Sequence, residues 1–227
     1  MTEEELKQIQ ENPELLVRFM ASRRFSNFAR YMNPKLDMTN FHKVYYEVLD
    51  KFAKGEIRKL IVSVAPQSGK SLGSSRFLPA FLLGLNPELK IVIGSYNADQ
   101  AKSFNRDVQR IVNSEAYKAT FPDTYFNNGK LRMDNVYLCN SEVSEPVGHS
   151  GFVRAVGRNG ALTGKAVDIL ILDDVYKDYN EANSPIIREQ AFKWYSTVCR
   201  TRLHNDSQEL IVFTRWHEGV LIGRIEE

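Results

Sequence analysis

Four short apolar runs constrain this chain most: KLIVSV at 59–64, KIVIGSY at 90–96, VDILILDD at 167–174 and QELIVFT at 208–214. Each is nearly continuous rather than alternating, the pattern of strands buried on both faces of a largely parallel sheet. Helical segments lie between them: KSLGSSRFLPAFLLG, ADQAKSFNRDVQRIVNS and SPIIREQAFKWYSTVCRTR. In the last, Ser184-Pro185 is a start signal, and Ile187, Ala191, Trp194, Tyr195 and Val198 mark a buried stripe. Residues 121–160 break the alternation, and the Asn127-Asn128-Gly129 turn predicts an antiparallel hairpin or edge pair there. The fold class is therefore α/β, a three-layer sandwich with helices on both faces of the sheet.

Residues 1–58 read as a helical lead-in to a core at 59–227. Thr2 and Glu5 resemble a capping box, Asn12-Pro13-Glu14 restarts a helix, and residues 39–55 form another that ends at Gly55. Between them, FMASRRFSNFARYM reads as an amphipathic helix whose Arg23, Arg24 and Arg30 form a solvated basic face. Composition excludes more than it assigns. Across 227 residues, 30 Lys and Arg face 28 Asp and Glu, so a net charge of +2 does not by itself announce a nucleic-acid binder. Cys139 and Cys199 have no metal-ligand spacing, which fits a reduced, intracellular protein. The acidic start MTEEELKQIQENPELL is no signal peptide, and no apolar run approaches the roughly 18 residues of a membrane span.

The chemistry is read at the strand ends. VAPQSGKS follows the first strand and opens a helix, the context of a phosphate-binding loop, although Val64 stands where G-x-x-x-x-G-K-[ST] begins with glycine. Gly69 permits close backbone approach, and the amides of Pro66-Gln67-Ser68-Gly69-Lys70-Ser71-Leu72 are the candidate nucleotide cradle, proline's missing N–H excepted. Lys70 supplies a point charge for the β- and γ-phosphates, and Ser71 a hydroxyl for Mg²⁺. Asp173-Asp174 closes an apolar run in the manner of a Walker B element. Asp173 is the candidate metal ligand, and Asp174 the general base beside the attacking water. Thr214, at the tip of the next strand, is placed to sense the γ-phosphate, with Arg215 relaying the change. Read blandly, the acid pair caps a turn, His217 starts a helix and Trp216 is core.

Taken in order, APQSGKS, IGSYNADQAKSFNRDVQRIV, SEAYKATFPD, GALTGKAVDILILDDVYKD and FTRWHEGVLIGRI resemble the large terminase subunit of tailed bacteriophages. The resemblance runs from about residue 36 to the end. It implies a P-loop ATPase of the additional-strand, RecA-like type that couples ATP and Mg²⁺ to translocation of double-stranded DNA into a procapsid. It also implies a portal protein and a small terminase subunit as partners, a homo-oligomeric ring (usually a pentamer), and residence in the host cytoplasm rather than the mature virion. A C-terminal nuclease domain is typical of the family, and the expectation here is an ATPase domain without it.

Many members carry a loop arginine where this chain has Pro66-Gln67, so an arginine finger is expected from another subunit. Arg158 and Arg154 are the candidates, with a DNA-touching or solvated loop as their bland reading. Many members also have glutamate where this chain has Asp174. The segment NPKLDMTNFHKVYYE lies where the family places adenine recognition, which implies Phe41 or His42 as the base contact, with core packing an equal reading of Phe41. Two other readings are a helicase-like translocase, which needs a second RecA-like domain, and a nucleotide-gated docking subunit without turnover.

Overall fold

The computed structural model describes residues 12–126, 135–139, 151–162, 164 and 166–226. The Thr2–Glu5 capping box and the Asn127-Asn128-Gly129 turn lie outside these residues. Three helices come first: α1 (Pro13–Arg23), α2 (Phe25–Met32) and α3 (Asn40–Ala53). Pro13 stands in the first turn of α1, with the Asn12 side chain accepting from the Glu14 amide. The basic stretch expected as one helix is two, because Arg24 is extended (φ −136°) and turns the chain. That turn carries Phe25 and Phe28 into the core and leaves Arg23, Arg24 and Arg30 outside.

Next come β1 (Lys59–Ser63), α4 (Lys70–Leu72), a π-helical turn (Gly73–Phe77), α5 (Leu78–Leu85), β2 (Lys90–Ser95), α6 (Ala98–Val112) and α7 (Glu115–Thr120). They are followed by β3 (Tyr125–Phe126), β4 (Asn135–Cys139), β5 (Phe152–Gly157), β6 (Val167–Asp173), α8 (Tyr179–Asn183), α9 (Pro185–Trp194), β7 (Leu203–Phe213) and α10 (Leu221–Glu226).

The sheet runs β1-β7-β6-β2-β5-β4-β3. Strands β1, β7, β6, β2 and β5 are parallel, while β4 and β3 continue antiparallel at one edge. Strand β7 stands between the loop-bearing β1 and the acid-bearing β6, which is the additional strand expected from the sequence. All four predicted strands are present. One expectation needs correction: residues 152–157 form not just part of an edge pair but a full parallel partner of β2.

Two apolar layers sandwich the sheet. On one face α2, α3, α5 and α6 enclose Phe25, Phe28, Tyr46, Leu49, Phe81 and Phe104 with Ile91, Ile93, Ile169 and Val212. On the other, Ala191, Trp194 and Tyr195 cover Val92, Leu170, Leu172 and Ile211. The stripe along α9 and the π-helical turn that follows it (Tyr195–Cys199) falls as predicted, with Ala191, Trp194 and Tyr195 buried and Ile187 and Val198 partly so. This arrangement brings the C-terminal tips of β1, β6 and β7 side by side, where a parallel sheet places its ligands.

Candidate active site

The loop after β1 shows why Val64 is tolerated. Its amide donates to the Phe213 carbonyl at 3.2 Å, so residue 64 prolongs the β1–β7 ladder and needs no glycine. The left-handed turns fall later, at Gln67 (φ 59°) and Gly69 (φ 80°). A Cβ at position 69 would also lie 2.8 Å from His42 Nε2, so that ring would have to shift. Gly73 has a similar role, because a Cβ would meet Tyr46 Cε1 at 2.8 Å and Tyr45 Cε1 at 3.0 Å. Helix α3 therefore presses directly on the helix that opens at Lys70. The Tyr45 hydroxyl and Ser74 Oγ both donate to the Lys70 carbonyl, at 3.0 and 2.9 Å. Burial pushes the Tyr45 phenol far up, so it remains a donor.

Lys70 is buried, and its ammonium joins the tips of β6 and β7. Nζ donates to Thr214 Oγ1 at 2.5 Å and pairs with Asp174 Oδ2 at 3.1 Å. Asp174 Oδ1 accepts the Thr214 amide at 2.9 Å. The Asp174 backbone is left-handed (φ 44°), a conformation uncommon outside glycine that aspartate and asparagine adopt more readily than other residues. Here the Asp174 amide donates to the Val212 carbonyl at 2.9 Å, and its own carbonyl accepts the Tyr96 amide at 3.1 Å.

Asp173 is buried beneath this cluster. Ser71 Oγ donates to its Oδ1 at 3.0 Å, and Ser75 Oγ donates to Oδ2. Ser71 and Ser75 lie one helical turn apart, so both hydroxyls face the carboxylate from the same side. Ser95 Oγ donates to the Asp173 carbonyl at 2.7 Å, which ties the tip of β6 to that of β2. Burial pushes the Asp173 carboxyl up to about 6, with the Ser75 hydrogen bond opposing and the neighbouring Asp174 charge adding.

A hard divalent cation and a phosphate fit these donors. Asp173 and the Ser71 hydroxyl offer adjacent oxygens, and magnesium needs only one or two carboxylates besides substrate phosphates. Ser68 Oγ, within the loop, is buried and has no hydrogen-bond partner among the described residues, and a phosphate oxygen would satisfy it. Pro66 and Gln67 are exposed, whereas the Leu72 side chain packs against the core, leaving only its backbone for a nucleotide.

Thr214, read from sequence as a γ-phosphate sensor, meets Lys70, while Arg215 is exposed on the following loop. Phe41 stacks on Tyr45 with centroids 5.3 Å apart and packs against the core, while His42 bonds Thr39 through Nδ1 at 2.8 Å and lies over Gly69. Arg158 differs from expectation. It is turned inward, donating to the Val175 carbonyl at 2.8 Å and Glu181 at 2.9 Å, with its side chain only 10% exposed. A finger offered to a neighbour must project, and this one is engaged within its own subunit. Arg154 Nη2 donates to the Ala161 carbonyl at 3.1 Å. Sequence reasoning missed Ser75, Ser95 and Tyr45. Ser75 alone had a local signal, its four-residue spacing from Ser71.

Residues 61–221 match the family described as terminase large subunit, T4likevirus-type, N-terminal. Among solved structures, the large terminase ATPase domain of Thermus phage P74-26 is similar at 21% identity and a TM-score of 0.51, over 79% of this chain and 70% of that one. An arginine-to-alanine variant of that domain is similar at 20% identity and a TM-score of 0.49, over 78% of this chain and 70% of that one. At 21% identity the likeness speaks to the fold. No curated protein matches this chain.

Proposed function

We propose a function from a settled premise: this chain belongs to the large terminase subunit family of the T4-like type, matching its N-terminal region. A general role in a DNA-packaging motor follows from that membership. The finer reading is that the chain hydrolyses ATP and couples each turnover to movement of double-stranded DNA into a procapsid. It would work as a ring with a portal protein and a small terminase subunit, in the host cytoplasm. The observation that carries this reading is Lys70, on the loop-to-helix junction after β1, whose ammonium bridges Thr214 and Asp174 at the tips of β7 and β6.

In this mechanism the loop amides from Gln67 to Leu72 and the Ser68 hydroxyl receive the phosphates. Lys70 then leaves Asp174 for the β- and γ-phosphate oxygens. The exchange frees Asp174 Oδ2 to take a proton from water, while Oδ1 stays fixed by the Thr214 amide. Thr214 thus registers whether Lys70 faces the nucleotide or the acid, and β7 carries that state toward Arg215. Asp173 and Ser71 would hold the Mg²⁺, which when bound offsets charge on the phosphates. DNA would be gripped mainly through its phosphates, since a packaging motor must pass any sequence.

Protection of duplex DNA from nuclease in portal-bearing procapsids, with ATP present, tests the coupling. Wild-type protein should protect DNA and Asp174→Asn should not. Normal protection by Asp174→Asn would contradict turnover-driven packaging and favour a docking subunit that only binds nucleotide.

A further inference from the structure

Arg158 follows the C-terminal end of β5, and its place is fixed from both backbone and side chain. Its amide donates to the Ser95 carbonyl at 2.7 Å, and Ser95 Oγ in turn holds the Asp173 carbonyl. Its Nη1 reaches the Val175 carbonyl and Glu181 Oε2, and the Tyr176 ring centroid lies 5.9 Å from the guanidinium carbon. Glu181 Oε2 also accepts the Lys177 amide at 2.9 Å, and the Glu181 amide donates to Asp178 at 3.0 Å. Both ends of segment 175–181 therefore converge on one guanidinium. Burial pushes the Glu181 carboxyl up, but the Arg158 and Lys177 hydrogen bonds outweigh it and leave the group below its ordinary value.

The residue just before this segment is Asp174, in its left-handed conformation. Four contacts hold Asp174 itself, but one of them is Lys70, which the proposed mechanism withdraws when nucleotide binds. The chain beyond Asp174 must then be held by something that does not move with the nucleotide. Arg158 and Glu181 form such a hold, largely out of solvent, where losing one partner leaves a charge stranded.

We propose that Arg158 is a positioning residue for Asp174, acting within its own subunit by clamping the Val175 carbonyl to Glu181. The proposal rests on the hydrolytic reading above. A misplacement of the general base by about 1 Å can cost up to roughly 100-fold in rate. Arg158→Ala and Glu181→Gln should therefore lower kcat by about 10- to 100-fold while nucleotide affinity stays within about threefold. Arg158→Lys, which keeps a donor for one of the two acceptors, should recover part of the loss.

The test combines steady-state ATP hydrolysis with binding of a fluorescent nucleotide and melting of each variant. Its deciding step mixes Arg158→Ala with Lys70→Ala protein in equal amounts. A clamp acting within one subunit predicts no recovery, because neither subunit has a complete site. A finger acting across subunits predicts recovery, because the Lys70→Ala subunit would lend Arg158 to an intact neighbour. Recovery on mixing, or wild-type kcat in Arg158→Ala, would overturn the proposal. Should Arg158→Ala fail to fold, the kcat and mixing measurements pass to Arg158→Lys, and the kcat measurement to Glu181→Gln, with the same criteria. A wild-type chain that hydrolyses nothing would overturn the hydrolytic reading itself, whereas an active wild type with an unaffected variant overturns only the clamp.

Discussion

Asp173 sits at 1% exposure against two serine hydroxyls, and its carboxyl is raised from 3.8 to about 6 by burial. The folded protein therefore holds this proton more tightly than the unfolded chain does. The stability that Asp173 contributes is full below about pH 3.8 and is lost as pH rises through about 6. Asp173→Asn removes the buried charge, so the nucleotide-free variant should exceed wild type in stability at about pH 8 by up to roughly 3 kcal/mol. Little of that gain should remain near pH 4. The same variant should lose Mg²⁺-dependent turnover. Urea unfolding at the two pH values checks this, and equal stabilities at about pH 8 would contradict the burial argument. At this scale the sequence showed the residues whose chemistry is local, from Ser68 to Ser71, Asp173-Asp174 and Thr214. It could not show Ser75 reaching Asp173 across 98 positions, or Arg158 turning inward to Glu181, because both pairings exist only once the strands align.

Among the elements, the helix that opens at Lys70 bears most on function. It passes from α4 through the π-helical turn Gly73–Phe77 into α5, a local change of winding that recurs at functional sites. The turn is covered by Tyr45 and Tyr46 of α3, and Gly73 is what lets them approach. Gly73→Ala should therefore force α3 outward, costing about 1–3 kcal/mol. Nucleotide affinity should weaken with it, because Tyr45 bonds the Lys70 carbonyl. Thermal melting with and without ATP measures both effects, and a variant as stable as wild type would show that α3 yields freely. The strands were legible where apolar residues ran unbroken. Strand β5 was harder to read, since Arg154 interrupts its apolar run and glycines stand at 151 and 157. The break at Arg24 was hidden because an amphipathic pattern carries no mark of where a helix bends.

Across the whole molecule, α2 and α3, read from sequence as part of a lead-in, share one apolar layer with the sheet. Phe25 and Phe28 are fully buried, and Phe28 lies 5.3 Å from Phe81 and 5.9 Å from Phe121, centroid to centroid. We expect α1–α3 to unfold with the core in a single transition. Phe28→Ala should lower the stability of that transition by about 3–5 kcal/mol rather than release the N-terminal helices alone. Two separated transitions in urea, only one of them shifted, would mark the lead-in as an independent unit.

Hydrolysis depends most directly on Lys70 and Asp174 acting together. Asparagine tolerates the left-handed backbone at 174 and can still accept the Thr214 amide, so Asp174→Asn removes the base and keeps the backbone, although its amide nitrogen then faces the Lys70 ammonium until nucleotide draws Lys70 away. The measurement is Mg²⁺-dependent ATP hydrolysis by wild type, Lys70→Ala and Asp174→Asn, with nucleotide binding measured alongside. Wild type should turn over, and both variants should fall at least about 100-fold, with Asp174→Asn still binding ATP. Turnover by Asp174→Asn at the wild-type rate would contradict the account.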